Sequence, residues 1–438
     1  MYMKTINIIG AGLAGCEAAN YLLKKGYSVN LFEMKPIKFS EAHKNENFAE
    51  LVCSNSLKGT EPTTAGGVLK NELSMLGSLL LEVANEVRVP SGSSLSVDRD
   101  KFSEVVTKRL KSYENLTVIS EIVKEIDFDI PTIVATGPLT DSSLANFITQ
   151  HFGGDLYFYD AIAPILDADT IDYESAYFAN RYDKGDTKDF INLPMNKEEY
   201  LEFYNALISA ESAPIKEFDN LKVYEGCMPI EVLAKRGQDA MRYGPLKPVG
   251  LDNPRTGRYD YAVVQLRKES LLTSAYNMVG VQTNLKYGEQ KRVFSLIPAL
   301  KDVQFLRYGA MHRNSYINAP QIINQHFQCK TYPNLFFAGQ ISGVEGYIES
   351  MASGLVAAIN MDRFLQNKPL VTFPTTTIIG GLANYVANYS DKNFQPMGSN
   401  MGLLNPLEVK IKNKKEKNAK LFEISQKAME EIINKFSR

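Results

Sequence analysis

Residues 4 to 9, Lys-Thr-Ile-Asn-Ile-Ile, make a short, mostly apolar run that stops at glycine, the pattern of a buried strand. Helical spacing follows from about Leu13 to Lys25, and a second short run, Ser28 to Phe32, ends at Glu33. Two later runs also end at glycine: 131 to 137 (Pro-Thr-Ile-Val-Ala-Thr-Gly) and 334 to 340 (Asn-Leu-Phe-Phe-Ala-Gly-Gln). After the second, Gly343-Val-Glu-Gly-Tyr leads into a helical stretch rich in small residues, Ile348 to Phe364. The segment from about 168 to 301 differs in being Tyr-rich and punctuated by turns at Asn192-Leu-Pro, Gly226-Cys-Met-Pro, Gly244-Pro, Lys247-Pro and Asn253-Pro. It reads as an inserted α+β domain. Near the end, Leu421, Ile424, Ala428, Ile432 and Phe436 recur at helical spacing and predict an amphipathic helix packed on the core.

The glycines give the first runs a chemical meaning. Gly10, Gly12 and Gly15 place GxGxxG, with Ala11 inside it, at a strand-to-helix turn. Gly10 allows the turn, Gly12 lets a pyrophosphate approach the positive helix end, and Gly15 lets helix and strand pack closely. Glu33 stands where a carboxylate would accept from a ribose 2′-hydroxyl, with Lys35 just beyond it. NAD and FAD share this fingerprint, and the return of the chain decides between them. The turns at Thr136-Gly137 and Gly339-Gln340, and the helix start at Gly346-Tyr347, bring a second helix N-terminus towards a flavin. The expected fold is therefore α/β: a discontinuous FAD-binding Rossmann-like domain of glutathione reductase type, residues 1–167 and 302–400, interrupted by 168–301 and followed by the helix of 401–438.

Bulk properties narrow the class. A chain of 438 residues exceeds one core, and its 44% hydrophobic and 22% charged composition is that of a globular protein. No stretch reaches the roughly 18 apolar residues of a membrane span, and the apolar start lacks a cleavage site, so a cytoplasmic protein with no membrane partner is expected. A formal charge of -2 leaves any nucleic acid partner to local patches. One such candidate spans 235 to 258, where Lys235, Arg236, Arg242, Lys247, Arg255 and Arg258 outnumber Asp239 and Asp252 around Tyr243. A solvated charged face is the competing explanation, for this run and for Lys410 to Lys417.

Four cysteines without CxxC spacing predict no metal site. Cys53, in Leu-Val-Cys-Ser-Asn-Ser-Leu-Lys-Gly with Ser54 and Lys58 nearby, has polar surroundings that could stabilise a thiolate. Cys227 sits on a turn between Gly226 and Pro229. Either thiol also fits the plainer role of a small buried residue. His312 stands in a polar cluster just before the returning strand, and the loop of 35 to 60 is long enough to suggest function.

These residues carry a family resemblance. The motifs are Ile9-Gly-Ala-Gly-Leu-Ala-Gly-Cys-Glu-Ala-Ala, Leu51-Val-Cys-Ser-Asn-Ser-Leu-Lys, Ser96-Val-Asp-Arg, Glu225-Gly-Cys-Met-Pro-Ile-Glu, Gly244-Pro-Leu-Lys-Pro-Val-Gly-Leu, Met311-His-Arg-Asn and Phe337-Ala-Gly-Gln with Gly343-Val-Glu-Gly-Tyr. Over nearly its whole length the sequence resembles the folate- and FAD-dependent RNA uridine-C5 methyltransferases, the TrmFO family. The resemblance implies FAD, methylenetetrahydrofolate as one-carbon donor, NAD(P)H as reductant and RNA as substrate. It implies Cys227 as the nucleophile at uracil C6 and Cys53 as the base that removes the C5 proton, which asks that the Cys53 pKa fall towards neutrality.

The sequence departs from the family at Leu193, where Cys is usual, and at Asn284 in Gln282-Thr-Asn-Leu-Lys-Tyr, where a His resembles the residue stacking on the folate pterin. Asn284, Lys286, His312 and Arg313 are the expected folate and substrate pocket. The departures leave two substrates open, the tRNA T-loop uridine and a 23S rRNA uridine. They also leave open a non-catalytic RNA-binding flavoprotein acting as a chaperone or assembly factor. Monomer and dimer are equally compatible with the sequence.

Overall fold

The computed structural model describes residues 4–153, 156–214, 228–270, 273–390 and 394–436. Five parallel strands form the central sheet in the order Leu335–Phe337, Thr132–Val134, Thr5–Ile9, Ser28–Glu33, Leu116–Ser120. Thr5–Ile9 lies in the middle, with Ile6 and Ile8 fully buried, which is why its apolar run carries so little alternation. The returning strand, more than three hundred residues later in sequence, pairs with Thr132–Val134 in register Phe337 to Val134. Helix Leu13–Lys24 packs against helix Tyr347–Leu365, and a Cβ at Gly354 would lie 2.3 Å from the Ala14 carbonyl oxygen. Small residues in the late helix therefore let the two ends of the chain close over one core.

A six-stranded antiparallel sheet occupies the middle of the chain, in the order Tyr177–Phe178, Ile191–Met195, Ala262–Lys268, Ala275–Met278, Ile165–Asp167, Phe305–Arg307. Its last two strands run just past the 168–301 expected from turn signals. Leu166 belongs to the same hydrophobic cluster as Tyr200, Phe203, Leu266 and Phe294, apart from the cluster around the parallel sheet. Leu193 is fully buried in that cluster, so at this position the chain has a core side chain rather than an accessible thiol. Between the two sheets, Leu156–Ala161 pairs antiparallel with Met311–Tyr316, setting His312 opposite Asp160.

The terminal helix, Lys414–Phe436, buries Asn418, Leu421, Ser425 and Met429. Leu421 belongs to the stripe read by apolar spacing, and Ile432 and Phe436 of that stripe pack partly buried against the same core, while a polar contact accounts for Ser425. Ser425 donates to the Glu72 carboxylate at 2.6 Å, and Glu72 also accepts from the Ile378 and Ile379 amides at 2.7 and 2.8 Å, capping helix Ile378–Asn388. Burial pushes the Glu72 carboxyl up to about 7. Among the described residues, no helix is long and apolar enough to cross a membrane.

Candidate active site

The glycine turn shapes a narrow groove. Gly10 has φ +103°, and a Cβ there would lie 2.6 Å from the Ala135 carbonyl oxygen; one at Gly15 would lie 1.9 Å from the Gly10 carbonyl oxygen. At Gly12 the nearest atom would be 4.0 Å away, so the chain leaves space at that corner. Gly12 is also the N-cap of helix Leu13–Lys24 and supplies no side-chain acceptor to its first turn. Open space beside uncapped amides is what a pyrophosphate requires. A pocket of about 80 Å³ lies here, lined by Gly10, Gly12, Glu33, Thr136 and Leu139 among others. Ala11, Gly15, Gly137 and Gly339 do not line it. Both Glu33 oxygens accept backbone amides, from Ala11 at 3.0 Å and Lys35 at 3.1 Å, fixing the carboxylate at the pocket edge. The Lys35 side chain is buried, donating to the Asn47 carbonyl at 2.5 Å and lying 3.6 Å from Glu50. It anchors the long loop and does not line the pocket.

Leu139 is shared between this pocket and a larger cavity of about 330 Å³. Cys53, Ser54, His312, Gln340, Gly346 and Tyr347 all line that cavity, together with Asp160, Asn314 and Glu345. The segments carrying them come from four parts of the chain. Three arginines, Arg267 buried and Arg99 and Arg307 half-buried, hold the Cys53 loop in place. Arg99 donates to the Leu51 carbonyl, to the Cys53 carbonyl at 3.0 Å and to Glu269 at 2.8 Å. Arg307 donates to the Val52 carbonyl at 2.8 Å, and Arg267 to Ser54 Oγ at 2.6 Å and Asn55 Oδ1 at 2.9 Å. From the opposite side the Cys53 amide donates to Tyr347 Oη at 2.8 Å. Loop carbonyls have no ladder to satisfy them, and these guanidiniums take that place.

The electrostatics of Cys53 differ from the sequence expectation. Burial above all, with the Asp160 and Glu345 carboxyls adding, pushes its thiol up to about 12, against the opposing pull of Arg99 and Arg307. Lys58, the cation expected to help, is instead paired with the buried Glu349 carboxylate. A thiol so placed is protonated at neutral pH. Alkylation of Cys53 in the ligand-free protein should accordingly climb about tenfold per pH unit from 7 to 10, without the plateau that a pKa near neutrality gives. Iodoacetamide labelling followed by peptide mass spectrometry reads this rate, and saturation below pH 9 would contradict the assignment.

Burial also lowers the His312 pKa, opposed by Glu41 at 3.4 Å, so the ring is neutral where it meets the cavity. Glu345 is raised well above the usual carboxylate range by burial and by the neighbouring Asp160 and Glu349, and Gln340 donates to it.

Other expected residues lie elsewhere. Arg313 stacks over the Tyr157 ring at 4.0 Å, outside the cavity lining. The Asn284 side chain donates to the Ala213 carbonyl at 3.1 Å while its amide donates to Glu231 at 2.7 Å, and Lys286 pairs with Glu211; neither lines the cavity. Cys227 falls outside the described residues. Of the basic stretch, Arg236, Arg255 and Arg258 are exposed and Lys247 is half-buried. Arg242 lies 3.5 Å over the Tyr261 ring and pairs with Asp239, and Arg255 donates to the Tyr173 and Ala176 carbonyls. Arg267, Arg307, Asp160 and Glu345 escaped the sequence reading as site residues. Arg99 stood within a quoted motif, but nothing in its spacing announced a contact with a loop more than forty residues earlier.

Known proteins match this arrangement along the chain. The family model described as "Glucose inhibited division protein A" matches residues 5–369. "Methylenetetrahydrofolate--tRNA-(uracil-5-)-methyltransferase TrmFO" of Listeria monocytogenes serovar 1/2a is 51% identical over 430 residues, covering 98% of this chain and 99% of its own. The protein of the same name from Acetivibrio thermocellus is 51% identical over 433 residues, covering 99% of each. Among solved structures, Aquifex aeolicus GidA in its form II crystal shares the fold, with a TM-score of 0.69 at 16% identity, covering 99% of this chain and 76% of that one. A two-pocket site on a dinucleotide-binding sheet, joined to half identity over the full length, makes the chain a member of the Glucose inhibited division protein A family and, more closely, of the TrmFO family.

Proposed function

We propose that the protein is a methylenetetrahydrofolate- and FAD-dependent methyltransferase that forms 5-methyluridine in tRNA. One observation carries the reading: Cys53 lines a cavity that shares Leu139 with the dinucleotide pocket, in a chain 51% identical over 98% of its length to a protein named for that reaction. Gly10, Gly12, Thr136, Gln340, Gly346 and Tyr347 would hold FAD, the uncapped amides at Gly12 being suited to its pyrophosphate. When bound, FAD supplies the hydride that turns an exocyclic methylene into a methyl group, and NAD(P)H renews it.

The protein's own groups do the rest. Uracil C5 is a poor nucleophile, and thiolate addition at C6, assigned to Cys227, makes the ring an enolate able to take up the one-carbon unit. Cys53 then accepts the C5 proton as tetrahydrofolate leaves, and once the methylene has been reduced the C6–sulfur bond breaks and frees the Cys227 thiolate. Cys53 can accept that proton only as the thiolate, and Arg99 and Arg307 are the cations available to steady that form against the upward push of burial. His312 and Asn314 face the same space as neutral hydrogen-bonding groups. Arg236, Lys247 and Arg258 offer cations for the RNA backbone, and the target uridine reaches the thiols extruded from its stack.

Purified flavoprotein supplied with methylenetetrahydrofolate and NADPH should form 5-methyluridine in a tRNA transcript, read by nucleoside mass spectrometry. Product in 23S rRNA alone would move the substrate to the ribosome. No product in either RNA would overturn the reading.

A further inference from the structure

Exposed apolar side chains are concentrated in one region. Among the described residues, thirteen large hydrophobics are exposed, and six of them, Tyr173, Phe178, Tyr182, Tyr243, Val249 and Tyr259, fall between positions 173 and 259. Several share one surface. Arg255 joins its loop to the Tyr173 and Ala176 carbonyls at 3.0 and 2.7 Å, Arg181 donates to the Val249 carbonyl, and the Tyr173 and Phe178 rings stack with centroids 6.0 Å apart. Aromatic faces among arginines and lysines suit unpaired nucleic acid bases, because every base has a π-face and a phosphate to go with it.

Tyr182 is the member held most deliberately. Its backbone has φ 58° and Asp183 follows at 49°, two successive left-handed residues that are not glycine. Its amide donates to the Gly250 carbonyl at 2.7 Å. A Cβ at Gly250 would lie 2.6, 2.7 and 2.9 Å from three adjacent atoms of the Tyr182 ring. Such nearly equal separations put the ring's face, not its edge, on the Gly250 backbone. One face is thus supported by protein, and with the side chain 57% exposed the other is open.

The position relative to the site follows from one strand. Arg181, the neighbour of Tyr182, donates to Gln265 Oε1 at 3.2 Å. Arg267, two residues on and on the same face of strand Ala262–Lys268, is the residue that holds Ser54 and Asn55. Those two positions lie about 7 Å apart along the strand. Tyr182 is therefore one residue from a side chain that meets the same strand as the arginine holding the Cys53 loop.

We propose that Tyr182 is a stacking platform for an unpaired base of the RNA substrate close to the uridine delivered to Cys53. This rests on the RNA reading above and adds to it a residue that recognises a base rather than the backbone. The full-length flavoprotein should be titrated with fluorescently labelled, unmodified tRNA transcript. Tyr182→Ala is expected to weaken binding roughly 5- to 100-fold, the range of one lost aromatic-base stack, and to leave the salt slope unchanged because no charge is removed. Tyr182→Phe should bind within about twofold of wild type. The chain contains no tryptophan, so Tyr182→Trp introduces the sole indole, whose emission should be quenched on adding tRNA. Unaltered flavin absorbance and melting temperature in all three variants confirm that the fold is intact. Equal binding by Tyr182→Ala and wild type, equal loss in the Ala and Phe variants, or an indole indifferent to tRNA would each overturn the stacking role. Failure of the wild-type protein to bind tRNA would overturn the RNA reading itself, and the stacking role with it.

Discussion

Replacing Cys53 with alanine should lower 5-methyluridine formation by a factor on the order of 10²–10⁴, the contribution of a positioned general base, while leaving bound flavin in place. The two effects separate because of where Cys53 sits. Its thiol faces the larger cavity, whereas the glycine groove that would hold the pyrophosphate is built by residues 10 to 15 and 136. The loop itself is held through backbone carbonyls and the Cys53 amide, by Arg99, Arg307 and Tyr347, and those bonds survive loss of the sulfur. A covalent adduct with 5-fluorouridine RNA should also survive, since it forms at C6 through a different thiol and does not wait for a C5 proton to leave. Product by mass spectrometry, adduct by denaturing gel and flavin by absorbance measure the three properties in one preparation. Loss of the adduct along with the product would make Cys53 the nucleophile and exchange the roles of the two thiols.

Much of this molecule was legible because its signals are local. A strand that stops at glycine, a helix that starts there and a carboxylate at the end of the next strand all lie within residues 4 to 33, and the structure reproduces them within a residue or two. The returning strand at 334 to 340 was equally readable, since a strand buried on both faces is apolar throughout. The supports of the active site were not. Arg99, Arg267 and Arg307 reach the Cys53 loop from separate elements, and no spacing in one dimension records which carbonyl a guanidinium will meet. The Cys53 pKa was misjudged for a related reason. Polar neighbours in sequence suggested a lowered value, but the dominant influence is enclosure by segments distant in sequence, with Asp160 and Glu345 among them. The terminal helix shows the same limit on a smaller scale: apolar spacing found Leu421, Ile432 and Phe436, which pack on the core, but not Ser425, which is buried through its hydrogen bond to Glu72.

The glycine turn supports a second large effect, with a built-in contrast. Gly15→Ala should both destabilise the protein and abolish flavin retention, because its Cβ would lie 1.9 Å from the Gly10 carbonyl oxygen, an atom of rigid backbone that has nowhere to go. Relieving that overlap means pushing helix Leu13–Lys24 away from the strand, and overpacking of this kind typically costs about 1–3 kcal/mol or more. Gly12→Ala meets nothing closer than 4.0 Å, and its φ of -77° suits any residue, so the ligand-free protein should melt within a degree or two of wild type. Its methyl group would nevertheless occupy the corner where the pyrophosphate approaches the helix amides. FAD affinity should therefore fall without a fall in stability. Thermal melts of the stripped apoproteins, paired with FAD titration by fluorescence quenching, distinguish the two substitutions. If Gly12→Ala bound FAD as tightly as wild type, the pyrophosphate would have to lie elsewhere, and the groove between Gly12 and Thr136 would lose its assignment.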